Sequence, residues 1–181
     1  MHNLQQRVNA VFAFAVSVFF SLLAAVALLS YISPLPQPTA EVMIGKVQVV
    51  TGRYGADHFD YGKRTNEFAV LSFNLNADLQ PLFNWNTKQL FVSLVAEYET
   101  TTHNHNQVVV WDAIIDDKRN AVLKLRERRN KYTLIDFSTK WEGLAANFSL
   151  HYDLTPYVGV LRNGVVGTSK TVHFPAVEAR R

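Results

Sequence analysis

Between Arg7 and Glu41 the sequence carries no charged side chain, and from Ala10 to Ile32 it reads AVFAFAVSVFFSLLAAVALLSYI, an apolar run interrupted by Ser17, Ser21 and Ser30. A helix rises ~1.5 Å per residue, so a run of this length covers roughly 35 Å, enough to cross a hydrocarbon core of about 30 Å with some tilt. Serine hydroxyls are tolerated in lipid because each can bond back to a carbonyl in the preceding turn, whereas a charge there is costly. Tyr31 falls at the far end, where a ring with a polar tip suits the interface. The segment predicts a single transmembrane helix over residues 11–32, preceded by a short tail of residues 1–10.

A removed signal peptide is the rival reading. It needs an apolar core of about 7 to 15 residues and a small-residue cleavage site. Ala24, Ala25 and Ala27 supply small residues, but the apolar core is too long, which favours an uncleaved anchor. Arg7 and the terminal amine on one side, against Glu41, Lys46 and Arg53 on the other, lean slightly towards a cytoplasmic amino terminus. The large domain that follows argues in the same direction, since such domains are usually translocated. The expectation is a single-pass type II protein with a lumenal carboxyl domain. Ser33 to Ala40, SPLPQPTA, holds three of the six prolines and predicts an extended linker over residues 33–40.

Charged residues make up 18% of the chain against a globular average near 25%, and the shortfall lies in this one segment. Residues 41–181 read as one ordinary domain, long enough for a core and short for two. The absence of cysteine excludes a disulfide scaffold, a cysteine nucleophile and any thiolate metal site. A net charge of +3, with basic residues interleaved among acids, argues against a nucleic-acid partner.

Beyond the linker the dominant period is two. KVQVV (Lys46 to Val50) opens a short strand; FAVLSFNL puts Ala69, Leu71, Phe73 and Leu75 on one face. QLFVSLVAEY puts Leu90, Val92, Leu94, Ala96 and Tyr98 on one face and Phe91 and Val95 on the other, as in a strand buried on both sides. QVVVWDAII, AVLKLR, KYTLIDF and NFSLHYDL follow, the last with Phe148, Leu150, Tyr152 and Leu154 facing one way and Asn147, Ser149, His151 and Asp153 the other. Asn163-Gly164 is the strongest hairpin-turn signal, and a short helical turn is expected around Asp78 to Phe83. Seven or eight strands at this spacing predict an all-β, sandwich-like lumenal domain behind the single helix.

Candidate chemistry is sparse. His103 and His105 sit two apart and could share a metal on an extended strand, but no nearby carboxylate or third histidine completes a site, and TTTHNHNQ reads as a polar loop. Asp116-Asp117 with Lys118 and Arg119 reads as a charged turn. The basic run Lys124, Arg126, Arg128, Arg129 and Lys131, opposed by Glu127, could meet acidic lipid or an acidic partner, or be the solvated end of a hairpin. Gly164 to Lys170 departs from phosphate-loop spacing and has no following helix, and no Gly-x-Ser-x-Gly elbow occurs. Trp85, Trp111 and Trp141 read as core or interface anchors. Neither catalytic, cofactor-binding nor metal residues are assigned. The one Asn-x-Ser/Thr sequon is Asn147-Phe148-Ser149, with Asn147 on the polar face of its strand, a candidate N-glycosylation site.

From Phe73 to Ile115 the blocks ADL, LFNWNTKQLF, AEY and NQVVVWD, in this order, resemble the subunit 3 family of the endoplasmic-reticulum signal peptidase complex, including its fungal members. The resemblance extends to KYTLIDF, to NFSL, to PYVG and to the amino-terminal anchor, and is weakest over Thr100 to Asn106 and after Lys170. It implies a type II glycoprotein of the endoplasmic-reticulum membrane with a β-rich lumenal domain, no catalytic residues of its own, and Asn147 at the family's glycosylated position. It further implies an accessory role in removing signal peptides from nascent secretory chains. The implied partners are the catalytic serine protease subunit, the other small membrane subunits and, through residues 11–32, the bilayer. Two alternatives differ in kind. A Golgi glycosyltransferase shares the tail, anchor and stalk but needs a larger nucleotide-sugar domain, often with an Asp-x-Asp motif, and neither is visible. A secreted or membrane-anchored β-sandwich binding module, unrelated to signal peptidase, is the other.

Overall fold

The computed structural model describes residues 3–52, 66–136 and 140–177. Among the described residues a single α-helix, α1 (Leu4–Ile32), precedes nine strands: β1 (Thr39–Gly52), β2 (Asn66–Asp78), β3 (Thr87–Tyr98), β4 (Asn106–Ile115), β5 (Val122–Arg129), β6 (Leu134–Ile135), β7 (Ala145–Pro156), β8 (Arg162–Thr168) and β9 (Val172–His173). Helix α1 begins at Leu4 because the Asn3 side chain accepts from the Gln5 N–H, so it extends several residues ahead of the apolar run. It is long and apolar enough to cross a membrane. Inside it Ser17 Oγ donates to the Ala13 carbonyl (2.9 Å) and Ser21 Oγ to that of Ser17 (2.8 Å), the back-bonding that lipid demands.

All strand pairings are antiparallel and fall into two sheets. One runs β1-β2-β5 with β6 also on β2; the other runs β4-β3-β7-β8 with β9 also on β7. In each sheet a short strand continues the edge along the same central neighbour: β6 pairs Phe68 and Ala69 below β5, and β9 pairs Ala145 and Ala146 below β8. The expected inner faces are those observed. Ala69, Leu71, Phe73 and Leu75 of β2 and Leu90, Val92, Leu94, Ala96 and Tyr98 of β3 are buried in one continuous core. Phe73 and Trp111 meet edge-on across the gap between the sheets, with ring centroids 5.9 Å apart. Val95 on the other face of β3 is also buried, while Phe91 is only half-buried.

Several local expectations need correcting. Asn163-Gly164 is not a hairpin turn: both residues lie inside β8, opposite Asp153 and Tyr152. The connection is Tyr157 to Leu161, with Gly159 at a φ of 123°. Gly164 is glycine for a different reason, since a Cβ there would lie 2.7 Å from the Tyr152 hydroxyl oxygen. Gly167 likewise lets β8 approach β1, where a Cβ would meet the Ala40 carbonyl oxygen at 2.6 Å. Strand β1 begins at Thr39, inside the expected linker, and passes Gly45-Lys46 as a bulge whose Lys46 N–H is taken up by Ser72 Oγ (3.0 Å). KYTLIDF contributes only the two-residue β6, because the Lys131 and Tyr132 N–H groups turn aside to the Val110 carbonyl of the opposite sheet. The helical turn appears as a single 3-10 turn over Gln80–Leu82. Arg53 and Phe137 lie outside the described residues.

Candidate interaction surfaces and glycosylation site

Asn147 sits on β7 between buried Ala146 and Phe148 and is itself exposed, its Oδ1 accepting from Thr171 Oγ1 at 2.8 Å. Its register partner is Glu97, six residues along β3 from Phe91. At about 3.3 Å per residue, Asn147 therefore stands roughly 20 Å along the sheet from Phe91, towards the end remote from α1. The sequon's Ser149 is only 3% exposed.

Ser149 belongs to a polar trio that invites a catalytic reading. Its Oγ donates to Glu97 Oε1 (3.2 Å) and lies 2.8 Å from His151 Nε2, which is itself 3.5 Å from Glu97 Oε1. A relay needs the serine on one ring nitrogen and the carboxylate on the other, so that a proton taken from the serine is balanced across the ring. Here both groups meet the same nitrogen, and the serine is covered. The geometry suits a structural hydrogen-bond cluster on the outer face of the sheet.

His103 and His105 lie in the β3–β4 loop, where Thr100 Oγ1 accepts from the His103 N–H (3.1 Å) and His103 Nδ1 lies 3.0 Å from Thr102 Oγ1. Among the described residues no cluster of three or more metal-ligating side chains occurs. Asp117 caps the 3-10 turn Lys118–Asn120 by accepting from the Arg119 N–H (2.8 Å), and also binds the Arg119 guanidinium at 2.6 Å. Those hydrogen bonds from Arg119 hold its carboxyl down at about 2.

The basic run lies along β5 itself, not at a hairpin tip. β5 is an edge strand, and its pairing slips between Arg128 and Leu125, where Glu127 adopts a left-handed φ of 47° held by its N–H donating to Asn74 Oδ1 (2.7 Å). A bulge together with Lys124, Arg126, Arg128 and Arg129 makes this edge a poor template for another strand. Lys131 instead pairs with Asp112 at 2.7 Å. A shallow open depression of about 800 Å³ lies on the outer face beside β5, lined by Glu41, Met43, Asn74, Asn76, Lys124 and Arg126 among others.

The tryptophans divide. Trp111 and Trp141 are core residues, and Trp85 is 69% exposed. Opposite Trp141, Tyr98 donates to Asp136 Oδ1 at 2.7 Å. Burial first, and then the Asp136 carboxylate, push the Tyr98 hydroxyl well above the ordinary tyrosine range.

Sequence reasoning missed the junction between domain and helix. Asn86 is 3% exposed, and its side chain donates to the Ser30 hydroxyl (2.9 Å) and the Val158 carbonyl (2.7 Å) while accepting from the Val158 N–H (3.1 Å). Arg162 donates to the carbonyls of Ser33 (3.0 Å) and Ser30 (3.4 Å). The last turn of α1 has no basic residue of its own, so Arg162 supplies from the domain the cation that a helix carboxyl end favours. Gly159 packs so near the helix that a Cβ would lie 3.6 Å from Ala27 Cα. A legible signal existed in Tyr-Val-Gly-Val-Leu, an uncharged loop with a glycine at its centre.

Comparison with known proteins agrees with the blocks from Phe73 to Ile115. A family model described as Signal peptidase subunit matches residues 1–177. Signal peptidase complex subunit 3 of Saccharomyces cerevisiae is 42% identical over 65% of this chain and 63% of its own length. The proteins of the same name from Yarrowia lipolytica and Caenorhabditis elegans are each 34% identical over 97% of this chain, covering 98% and 95% of their own lengths. Matched from its apolar helix through nearly all of its β domain, the chain belongs to the signal peptidase subunit family.

Proposed function

We propose that the chain is a non-catalytic accessory subunit of the signal peptidase complex. In this reading it is a single-pass type II protein of the endoplasmic-reticulum membrane, with residues 1–10 cytoplasmic and the β domain lumenal. The domain binds the separate catalytic serine protease subunit and holds it near the membrane surface while signal peptides are removed from nascent secretory chains. The observation that carries the reading is the similarity along almost the whole chain to proteins named subunit 3 of that complex. Two further features support it. The Ser149–His151–Glu97 trio lacks a relay arrangement. Also, the outer face of β3 and β4 shows Ile114 (64% exposed) and Val109 beside Phe91 and Val95, an apolar patch of the kind a protein partner covers. Anchoring both proteins in one bilayer raises their effective concentration for each other. Asn147 as the glycan site lies roughly 20 Å along the sheet from the Phe91–Ile114 end of this patch and nearer to its Val95 end.

Affinity isolation of the full chain from microsomes in mild detergent is expected to bring the catalytic subunit in stoichiometric amount, and Ile114→Asp is expected to lower that recovery severalfold. Loss of the catalytic subunit already with the unaltered chain sinks the proposal. Asn147→Gln is expected to speed gel migration by one glycan's worth, matching glycosidase treatment of the unaltered protein. Unchanged mobility counts against glycosylation of Asn147 in the lumen.

A further inference from the structure

Two loops of the β domain lie alongside α1 rather than beyond its end. Gly159 packs against Ala27, five residues before the last helical residue Ile32, which is roughly 7 Å back along the axis. Besides Val16 further back, the helix positions of reduced exposure are Leu23, Val26, Ala27 and Ser30, which share one face at helical spacing beside the Gly159 contact, while Leu22, Leu28, Leu29 and Tyr31 around them remain exposed. The segment from Leu154 to Leu161, LTPYVGVL, and the segment from Leu79 to Thr87, LQPLFNWNT, contain no charged residue. Asn86 joins them: its side chain holds both backbone polar groups of Val158, and its carbonyl accepts from the Tyr157 N–H at 2.8 Å. Their outward residues are Trp85 at 69% exposure, Tyr157 at 68%, Val160 at 68% and Leu161 at 66%. The first charges after each segment are Lys88 and Arg162.

We infer that these two loops form a second membrane contact, in which Trp85, Tyr157, Val160 and Leu161 enter the bilayer interface beside α1 on the side the domain occupies. The occupant is lipid because the patch is continuous with the membrane-spanning helix and sits level with its last two apolar turns. A helix apolar to Ile32 cannot keep that level in lipid while loops packed on the same turns stay in water. The composition agrees, since Trp and Tyr prefer the headgroup zone and the nearest cations can reach lipid phosphates. The proline segment is then a short strap beside a docked domain. The inference depends on α1 crossing a bilayer and goes beyond the question of which complex the chain joins.

The chain has no cysteine, so single spin labels can be introduced without altering other residues. Val160→Cys and Trp85→Cys, with Val18→Cys in mid-helix and Thr102→Cys in a distal loop as references, are to be labelled in the full chain. Each is read in phosphatidylcholine vesicles and again in the detergent-free isolated complex. The labels at 160 and 85 are expected to fall between the label at 18 and the label at 102, with accessibility to a water-soluble nickel chelate severalfold below that at 102. Nickel accessibility equal to that of the label at 102 overturns the inference, as does exclusion of both quenchers, which would mean that protein covers the loops. A label at 18 that meets the nickel chelate faults the membrane span itself and so overturns the inference at its premise. As an independent readout, lipids brominated near the headgroup are expected to quench the unaltered protein's tryptophan emission, and Trp85→Phe is expected to remove most of that quenching.

Discussion

Trp141→Ala is expected to destabilise the β domain by about 3–5 kcal/mol, the range for removing a fully buried tryptophan. Trp141 has no exposed surface and lies between the rings of Tyr98 and Phe174, at centroid distances of 4.9 and 4.7 Å. It therefore clamps the segment before β7 to the end of β3 and to the carboxyl-terminal segment after β9. Its backbone N–H also donates to Glu67 Oε2 at 2.7 Å, which ties the same point to the start of β2 in the opposite sheet. The alanine cavity would release both ring contacts at once, although the backbone bond to Glu67 would remain, and a single domain has only about 5–15 kcal/mol in hand. Thermal unfolding of the full chain in detergent, followed by near-ultraviolet circular dichroism, should show the midpoint falling by roughly 10 °C or more. Trp141→Phe should cost far less, because among the described residues the indole N–H has no hydrogen-bond partner to lose. A loss under about 1 kcal/mol for alanine, the size of an ordinary surface change, would show that the clamp is not what holds this end of the sandwich.

What could be read in the sequence, and what could not, follows from the range over which each feature is determined. The inner faces of β2 and β3 were legible because alternation is local: Leu71, Phe73 and Leu75 need no knowledge of what they pack against. The helix was legible for the same reason, since the lack of charge between Arg7 and Glu41 is a property of one segment. Asn163-Gly164 misled because the dipeptide that permits a tight turn also permits a ring to lie over a strand, and only Tyr152 across the sheet decides between them. Trp141 was legible as a core or interface anchor, but which of the two it is depends on Tyr98 and Phe174 far away in the chain. Of the candidate site, Asn147 was readable as a sequon on the polar side of a strand. The packing of Ser149 with His151 and Glu97 was not, because it needs the β3–β7 register.

Asn86→Leu is expected to loosen the domain from the helix while leaving both folded. Leucine roughly preserves the volume but offers the Val158 N–H and carbonyl no partner, and each polar group left unsatisfied in a buried site costs about 1–3 kcal/mol. The neighbouring contacts, the Tyr157 N–H on the Asn86 carbonyl and the Asn86 N–H on Asn84 Oδ1 (2.8 Å), use backbone atoms and survive the change. The loss should therefore fall on the pairing of the two loops that pack on α1, at roughly 2–4 kcal/mol once the non-additivity of neighbouring bonds is allowed for, and the junction also loses the Asn86–Ser30 bond that crosses to the helix. Asn86→Asp should be no rescue: it can still accept from the Val158 N–H and from the Ser30 hydroxyl, but it turns a carboxylate oxygen towards the Val158 carbonyl, where a donated bond stood. Asn86→Gln keeps the amide but displaces it by one methylene, and should also fail, because the asparagine spans both Val158 groups at a fixed reach. The measurement is a spin-label distance distribution between Val11→Cys on the helix and Thr102→Cys at the far end of the domain, in the full chain in lipid. A narrow distribution in the parent that broadens in all three variants, with the near-ultraviolet spectrum retained, is the expected result. An unchanged width in Asn86→Leu would mean that Arg162 on the Ser30 and Ser33 carbonyls, together with the Gly159 contact, suffices to fix the junction without the asparagine.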